Sequence, residues 1–150
     1  MGAQTTTAIN GCDAGIWADI ASGVLTDIGG SSNEYNLEFD MDIAGFRTFG
    51  NRWQKRLDCG KDAKLTVMIT YSTAVNEGID LLKNWFFNAT PGERTIRLYV
   101  PAKNVGADVY SAEWRLESLK IPVVAGEAKP VTVTAVLLPS GPVTLTVNAT

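Results

Sequence analysis

The residues best placed to do chemistry are four carboxylates that share one parity within residues 34–43. Apolar residues occupy the alternate positions, so the segment predicts a β-strand with acids on one face and apolar side chains on the other. Acids two residues apart would lie roughly 7 Å apart, within the Debye length of about 8 Å, and would repel one another. The four acids are Glu34, Glu38, Asp40 and Asp42.

This acidic strand face could serve catalysis, metal binding or repulsion of a charged partner. A glycoside hydrolase uses paired carboxylates, one of them with a raised pKa. Catalysis is disfavoured because all four acids lie on one strand and no apolar pocket is visible around them. A divalent cation needs oxygens that converge from a loop, which a strand does not provide. Two interpretations stay open: a solvated outer face, and a surface that repels a polyanion.

The segment over residues 47–64 has the opposite charge. It holds six cations against two acids, together with the aromatic residues Phe49 and Trp53. Basic residues interleaved with aromatics can bind single-stranded nucleic acid. The other interpretations are a hairpin loop whose aromatics tuck against the sheet edge, and a docking arm, since interface centres favour arginine and aromatic residues. The cations are Arg47, Arg52, Lys55, Arg56, Lys61 and Lys64.

The chain contains no histidine. This removes the commonest general base and the commonest metal ligand, and no set of nucleophile, base and orienting residue can be assembled from the rest. Cys12 and Cys59 lack the spacing of a metal site, and two unpaired thiols are favoured over a disulfide. The sequence therefore predicts a protein that is not an enzyme and that uses no metal and no cofactor.

Composition places the 150-residue chain among globular proteins, with 45% apolar and 19% charged residues. A net charge of -3 argues against a protein that grips DNA. No apolar run approaches the roughly 20 residues of a membrane span, and residues 1–7 show no signal-peptide pattern. We expect one domain in which residues 1–12 form a flexible N-terminal arm.

Alternating hydrophobicity predicts seven or eight strands along the chain. A change of parity after Leu116 predicts a β-bulge near Ser118. With one helix added, the pattern predicts a mainly β fold, a β-sandwich or barrel with the helix packed on one side. The predicted strands cover residues 14–20, 24–28, 34–43, 64–71, 95–100, 110–121, 131–138 and 143–147.

The predicted helix covers residues 73–87, where apolar residues recur at three- and four-residue spacing. Ser72 or Thr73 is expected as its N-cap, and the pattern ends before Pro91. The residues expected on its apolar face are Val75, Ile79, Leu82 and Phe86.

The order of these features resembles that of the tail tube proteins of long-tailed bacteriophages. The sequence LTDI at residues 25–28, a Gly/Ser turn and the acidic strand look like the start of such proteins. The sequence RTFGNRW at residues 47–53 looks like their hairpin arm. The helix, the strand over residues 95–100 and the sequence LPSGP at residues 138–142 then follow in family order. The resemblance covers residues 11–142 and is carried by this succession.

The resemblance implies a single tail tube domain over residues 1–150, with two packed antiparallel sheets flanked by one helix. Residues 47–64 would form a long β-hairpin arm that acts as a stacking loop. Six copies would form a ring with a continuous inner wall, and stacked rings would conduct the genome into the host. Assembly would take place in the host cytoplasm, into a virion tail. The implied partners are other copies of the chain, a tape measure protein, a tail terminator and distal tail or baseplate proteins.

Two hypotheses assign residues within that picture. Glu34, Glu38, Asp40 and Asp42 would line the lumen, where their charge denies DNA the phosphate contacts that would slow it. DNA would then pass without sequence-specific binding. The contact between rings would use Arg47, Phe49, Arg52, Trp53, Lys55 and Arg56. Alternatives are a ring or tube protein of a contractile injection or type VI secretion-like machine, and a β-sandwich module that binds nucleic acid or carbohydrate.

Overall fold

The computed structural model of the protein describes residues 14–21, 24–30, 32–73, 77–100, 105–126 and 130–149. Within these ranges the chain forms eight strands and one helix. They are β1 (Gly15–Ala21), β2 (Val24–Asp27), β3 (Ser32–Phe46), β4 (Lys55–Thr70), α1 (Gly78–Phe86), β5 (Arg94–Val100), β6 (Asp108–Lys120), β7 (Thr132–Pro139) and β8 (Thr144–Val147). The expected N-terminal arm, with Cys12, lies outside the described residues. No helix in the described ranges is long and apolar enough to span a bilayer.

Hydrogen bonds join these strands into one antiparallel sheet. The strand order is β2-β1-β5-β6-β7-β4-β3, and β8 also pairs with β6. Strand β6 joins the two halves of this sheet, since residues 108–114 pair with β5 and residues 114–120 pair with β7. The register shifts between Leu116 and Ser118, which confirms the predicted bulge. A bulge bends its strand and increases the local twist.

The sheet folds over itself, so that its two halves face each other. Tyr35 of β3 donates its hydroxyl to the carbonyl oxygen of Tyr99 in β5 at 3.0 Å, and the rings of Phe39 in β3 and Tyr110 in β6 lie 5.9 Å apart. We call β2, β1, β5, β8 and the first half of β6 the β1 layer, and the second half of β6 with β7, β4 and β3 the β3 layer. The mainly β antiparallel fold with one short helix is confirmed. One hydrogen-bonded ladder runs through both layers, instead of two separate sheets.

The core lies between the two layers and under the helix. Alternate side chains of each strand face inward, because successive residues of a strand point to opposite faces. Each side chain of leucine or isoleucine size that is fully buried contributes about 1.5–3 kcal/mol. The largest side chains that are fully buried are Trp85, Trp114, Ile16, Leu65, Ile69, Ile79, Leu98, Leu137 and Val133.

Helix α1 begins later than the sequence predicts. Its N-cap is Glu77, so the expected caps Ser72 and Thr73 are wrong, and both lie outside the helix. Residues 74–76, which include the expected face residue Val75, lie outside the described residues. Asp80 in the first turn suits the positive end of the helix dipole.

The buried face of α1 differs from the predicted one, because Leu81 and Trp85 are buried and Phe86 is not. Ile79 and Leu82 are buried as predicted, but Phe86 is exposed and Trp85 is buried instead. The indole N–H of Trp85 donates to the carbonyl oxygen of Gly92 at 3.2 Å. Because its polar atom is satisfied in this way, the larger ring can enter the core at no hydrogen-bonding cost.

Strands β3 and β4 extend beyond the two layers as one long hairpin. Their pairing continues to Phe46 and Lys55, so the loop spans residues 47–54, whereas the sequence predicts it over residues 47–64. Between Met41 and Ile43 the register inserts one extra residue into β4. This bulge interrupts the alternation of β4 in a part where both faces of the strand are exposed. For this reason the sequence pattern does not predict the first half of β4 as a strand. We call residues 39–62 the arm and residues 47–54 the arm tip.

Candidate assembly surfaces

The four acids that were predicted to line a lumen share one exposed face of β3. The register sets their neighbours on β4: Lys64 lies opposite Glu38, and Asp62 lies opposite Asp40. Like charges directly opposite each other destabilise a sheet, so the second pair opposes hairpin formation in the lone chain. Because it lies opposite Asp40, Asp62 adds a fifth carboxylate to this face, and the strand register is needed to identify it. We call Glu34, Glu38, Asp40 and Asp42 the acidic row.

The same outer face of the β3 layer also carries cations. Lys64 stands on β4, and Arg115 and Lys120 stand on β6 opposite residues 138 and 134 of β7. Arg115 is held 3.0 Å from the carboxylate of Glu93. Hydrogen bonds from Ser140 and Arg115, with the charge of Arg115, lower the pKa of Glu93. Lys55 lies opposite Phe46 on the same face of the arm, so that with the arm included five carboxylates stand against four cations.

The β3 layer has unpaired backbone along both of its sides in the described part of the chain. Strand β3 stands at the end of the strand order, so one of its edges has no partner strand. On the other side, β5 stops pairing with β6 at Trp114, which leaves residues 115–120 with an open edge. A row of unpaired N–H and C=O groups is a template for pairing with another chain. The layer can therefore be extended at either side.

The arm tip presents the residues that were predicted to contact another ring. Gly50 has a φ of 82°, which glycine adopts without strain, and the side chain of Asn51 accepts a hydrogen bond from the N–H of Trp53 at 3.0 Å. Phe49 and Trp53 are almost fully exposed, so the interpretation that they tuck against the sheet edge is wrong. The other tip-proximal residues of the hypothesis, Arg47, Arg52, Lys55 and Arg56, are exposed as well.

The arm carries the core-facing side of β3 out into solvent. Phe39, Met41 and Ile43 have the same parity as the half-buried Tyr35 and Leu37. They are nevertheless about half exposed, because β7 stops pairing with β4 before the arm begins; Phe39, at the base of the arm, keeps one ring contact with Tyr110 of β6. We call these three residues the arm stripe. Contiguous exposed apolar groups of this kind mark interaction surfaces.

A second exposed apolar patch lies at the opposite end of the β3 layer. Strand β6 ends at Lys120, because Pro122 has no N–H with which to continue a ladder. The loop that follows exposes Ile121, Val123 and Val124. The sequence pattern places Ile121 inside the strand, which is wrong for the same reason. We call these three exposed residues the loop patch.

Chains of known structure with the same fold come from phage-like tails and from contractile injection systems. A chain from the tail of an empty gene transfer agent particle with C6 symmetry superposes with a TM-score of 0.71 at 14% identity, over 93% of this chain and 99% of that one. A chain of the SPP1 tail tube matches with a TM-score of 0.71 at 13% identity, over 95% and 80%. A chain from the extended sheath–tube complex of the extracellular contractile injection system PVC matches with a TM-score of 0.70 at 10% identity, over 93% and 92%.

No protein-family model matches the sequence, and no curated protein matches it significantly. The likeness lies in the path of the chain, since only 10–14% of residues are identical in the three superpositions. It extends over nearly the whole chain and includes both layers and the helix. The protein therefore has the fold of tail tube proteins.

Proposed function

We propose that the protein is the tail tube protein of a phage-like virion, a structural protein without catalytic activity whose copies form rings that stack into a conduit for DNA. The observation that carries this proposal is the β3 layer, which is open at both edges in the described chain. A lone domain gains nothing from two long unpaired edges, which invite aggregation. A ring of copies uses both of them.

Ring closure is compatible with the strand directions. Along β6-β7-β4-β3 each neighbour is antiparallel, so β3 runs opposite to β6. The β3 edge of one copy therefore meets the β6 edge of the next in antiparallel orientation, and the alternation continues without a break. Contacts between unlike surfaces close into rings when the rotation fits. With six copies, the symmetry of the gene transfer agent tail, the wall would hold about 24 strands, and barrels of 16–18 strands already leave an open channel.

The dimensions of such a wall decide which layer lies inside it. Strands spaced about 4.8 Å apart and tilted about 40° would give a ring roughly 50 Å across. The β1 layer stands about 10 Å from the β3 layer, and α1 contacts β4 and β6 on the same side of that layer. Placed inside, elements about 10 Å thick at that distance would fill about 30 Å of the diameter and leave too little room for a conduit. The β1 layer and α1 therefore lie outside, and the outer face of the β3 layer faces the channel.

The acidic row then lines the channel, repeated in every copy. Duplex DNA carries one negative charge per roughly 1.7 Å of its axis, and proteins that hold DNA do so by neutralising these phosphates. A wall on which carboxylates outnumber cations offers few such contacts, so DNA would slide past it. This role for Glu34, Glu38, Asp40 and Asp42 is a proposal, supported by their shared face and by the side on which the β1 layer must lie.

The arm would make the contact between successive rings. It projects from the end of the β3 layer, and its tip exposes Phe49 and Trp53 among several cations, the composition that interface centres favour. The inter-ring role of Arg47, Arg52, Lys55 and Arg56 belongs to the same proposal. Partners at the ends of the tube would include a terminator, distal tail or baseplate proteins and, inside it, a tape measure protein. Assembly would take place in the host cytoplasm.

Electron microscopy of the negatively stained protein at high concentration tests the proposal, with hollow tubes or rings as the expected result. Hydrogen exchange gives a finer test, because edge amides of residues 34–38 and 115–120, which lie level with each other across the layer, should gain protection when the edges pair. A peptide over residues 88–92, outside both edges, serves as the control. Monomeric particles at every concentration, with tight binding of a nucleic acid or carbohydrate, would instead support a binding module.

A second candidate is the tube of a contractile injection machine. It is favoured by the superposition on a chain from a sheath–tube complex. The two candidates share the ring and the tube, and they differ in whether a sheath surrounds the tube. Co-purification with a sheath protein from the native source separates them.

A further inference from the structure

We propose that the loop patch receives the arm stripe of a copy in the next ring, so that the contact between rings joins opposite ends of the β3 layer. This inference rests on the proposed function and supplies the partner surface for the arm. The arm stripe consists of Phe39, Met41 and Ile43, and the loop patch consists of Ile121, Val123 and Val124.

The strand register places the two patches at opposite ends of the same layer. At one end, the pairing of β3 with β4 closes in the arm at Phe46 and Lys55. At the other end, Thr132 of β7 lies opposite the last residue of β4, and Lys120, the last residue of β6, lies opposite Thr134. The loop patch follows Lys120 directly. Copies that stack in one orientation therefore bring the arm of each against the loop of the next.

The arm is long enough to cross from one ring into another. Residues 39–46 each advance about 3.4 Å along the strand, so the tip lies roughly 27 Å beyond the level of Phe39. That reach exceeds the thickness of a loop, and it carries Met41 and Ile43 of the arm stripe past the rim of their own layer, while Phe39 lies at the rim against Tyr110. A neighbour stacked on that rim must lie alongside the arm.

The surface at the loop patch is concave and mostly apolar. A cavity of about 360 Å³ opens beside the loop patch, within the size range of sites that hold an apolar group. Packing the arm stripe against this surface removes apolar area from water on both partners. The cavity is lined by Met68, Pro122, Val124, Pro130, Val131, Thr132 and Thr134.

A second copy of the chain accounts for both patches with one contact. A different partner protein would cover one patch and leave the other exposed, so that two such partners would be needed. A contact between unlike surfaces of identical chains buries both, and it repeats in every ring without limit. The tail of the gene transfer agent particle, whose chain has the same fold, was refined as a helical assembly, which is the product of such a repeating contact.

A charge swap in the full-length chain tests the contact. Met41→Lys on the arm and Val123→Asp on the loop each place an unpaired charge in an apolar interface. Each single variant should keep the far-ultraviolet circular dichroism of the wild type, while the protein concentration needed for tubes rises about tenfold or more. The double variant places opposite charges on the two sides of every contact, and tubes should return.

Phe87→Asp is the matched control, because Phe87 is 75% exposed and Val123 is 74% exposed. It should leave tube formation unchanged, since Phe87 belongs to neither patch. Normal tubes from both single variants would overturn the inference and leave the proposed function standing. Patches that bind other proteins would give this result. A wild-type chain that forms neither rings nor tubes would overturn the proposed function, and the inference with it.

Cross-linking gives a direct readout of the same contact. Cys59 lies exposed on the arm with a free thiol, so Val123→Cys in a Cys12→Ser background adds one thiol on the proposed partner surface. A short thiol-specific cross-linker should join chains into ladders in assembled tubes and not in dispersed protein. Phe87→Cys in the same background should give no ladder. A ladder from the Phe87 variant alone would contradict the inference.

Discussion

The two halves of the β3–β4 hairpin are made from the same pair of strands, yet one half is core and the other is arm. Inside the layers, Leu65 and Val67 of β4 are buried, whereas Leu57 of the same strand is exposed in the arm. The alternation of a strand determines which face a side chain occupies, and the neighbouring elements determine whether that face is buried. The inner half therefore stabilises the folded chain, and the arm leaves its apolar groups exposed, as the proposed contact between rings requires.

The largest expected effect comes from truncating the same residue type in each half. Leu65→Ala should lower the free energy of unfolding by about 2–5 kcal/mol, because it leaves a cavity at a site that is 0% exposed. Leu57→Ala, at a site 59% exposed, should change it by no more than about 0.5 kcal/mol. Urea denaturation of the unassembled protein measures both. Equal losses would mean that the arm packs against the body in solution.

A smaller effect is expected at Tyr35, where the hairpin is tied to the β1 layer. Tyr35→Phe removes the hydrogen bond to the carbonyl oxygen of Tyr99 and should cost about 0.5–1.5 kcal/mol at neutral pH. Burial, with a contribution from Tyr110, raises the pKa of Tyr35 above its ordinary value of 10.0. The unfolded chain therefore loses this proton first as the pH rises. The stabilisation is complete below about pH 10 and is lost above it.

Denaturation of both proteins at neutral pH and above pH 10 checks this prediction. The wild type should lose stability more steeply than Tyr35→Phe as the pH rises, because the variant has no hydroxyl to ionise at this site. Tyr71→Phe is a suitable control, since Tyr71 is exposed. Parallel losses in the wild type and in Tyr35→Phe would show that other groups cause the alkaline destabilisation.

The smallest effect on stability is expected from glycines of the arm. A Cβ at Gly45 would overlap the side-chain amide of Gln54, whereas one at Gly60 would meet open space. Gly45→Val should displace Gln54 and loosen the arm tip, while the free energy of unfolding changes by less than about 1 kcal/mol. Faster tryptic cleavage after Arg47 and Arg52 is the measurement. Gly60→Val should be cleaved at the wild-type rate, and the comparison fails if it is cleaved as fast as Gly45→Val.

Local pattern was sufficient to predict most of the elements. The alternation over residues 34–43 predicts the acidic face of β3, and the change of parity near Ser118 predicts the bulge, because both depend on side-chain direction along one strand. Asp62 and the loop patch could not be predicted, since each depends on which strands pair and in which register. The length of the arm was hidden because an exposed strand with a bulge needs no alternation of apolar residues. Pairing partners are chosen by long-range packing, which a periodicity does not encode.

The even number of strands in the β3 layer has a consequence for the width of a tube. Each copy adds four alternating strands to the proposed ring. Rings of five, six or seven copies would therefore satisfy hydrogen bonding equally well, and hydrogen bonding does not determine the number of copies. The count must then be set by how strongly each copy is wedge-shaped, which depends on the bulk of the β1 layer and α1 behind the wall. Side chains far from the channel would in this way determine its bore.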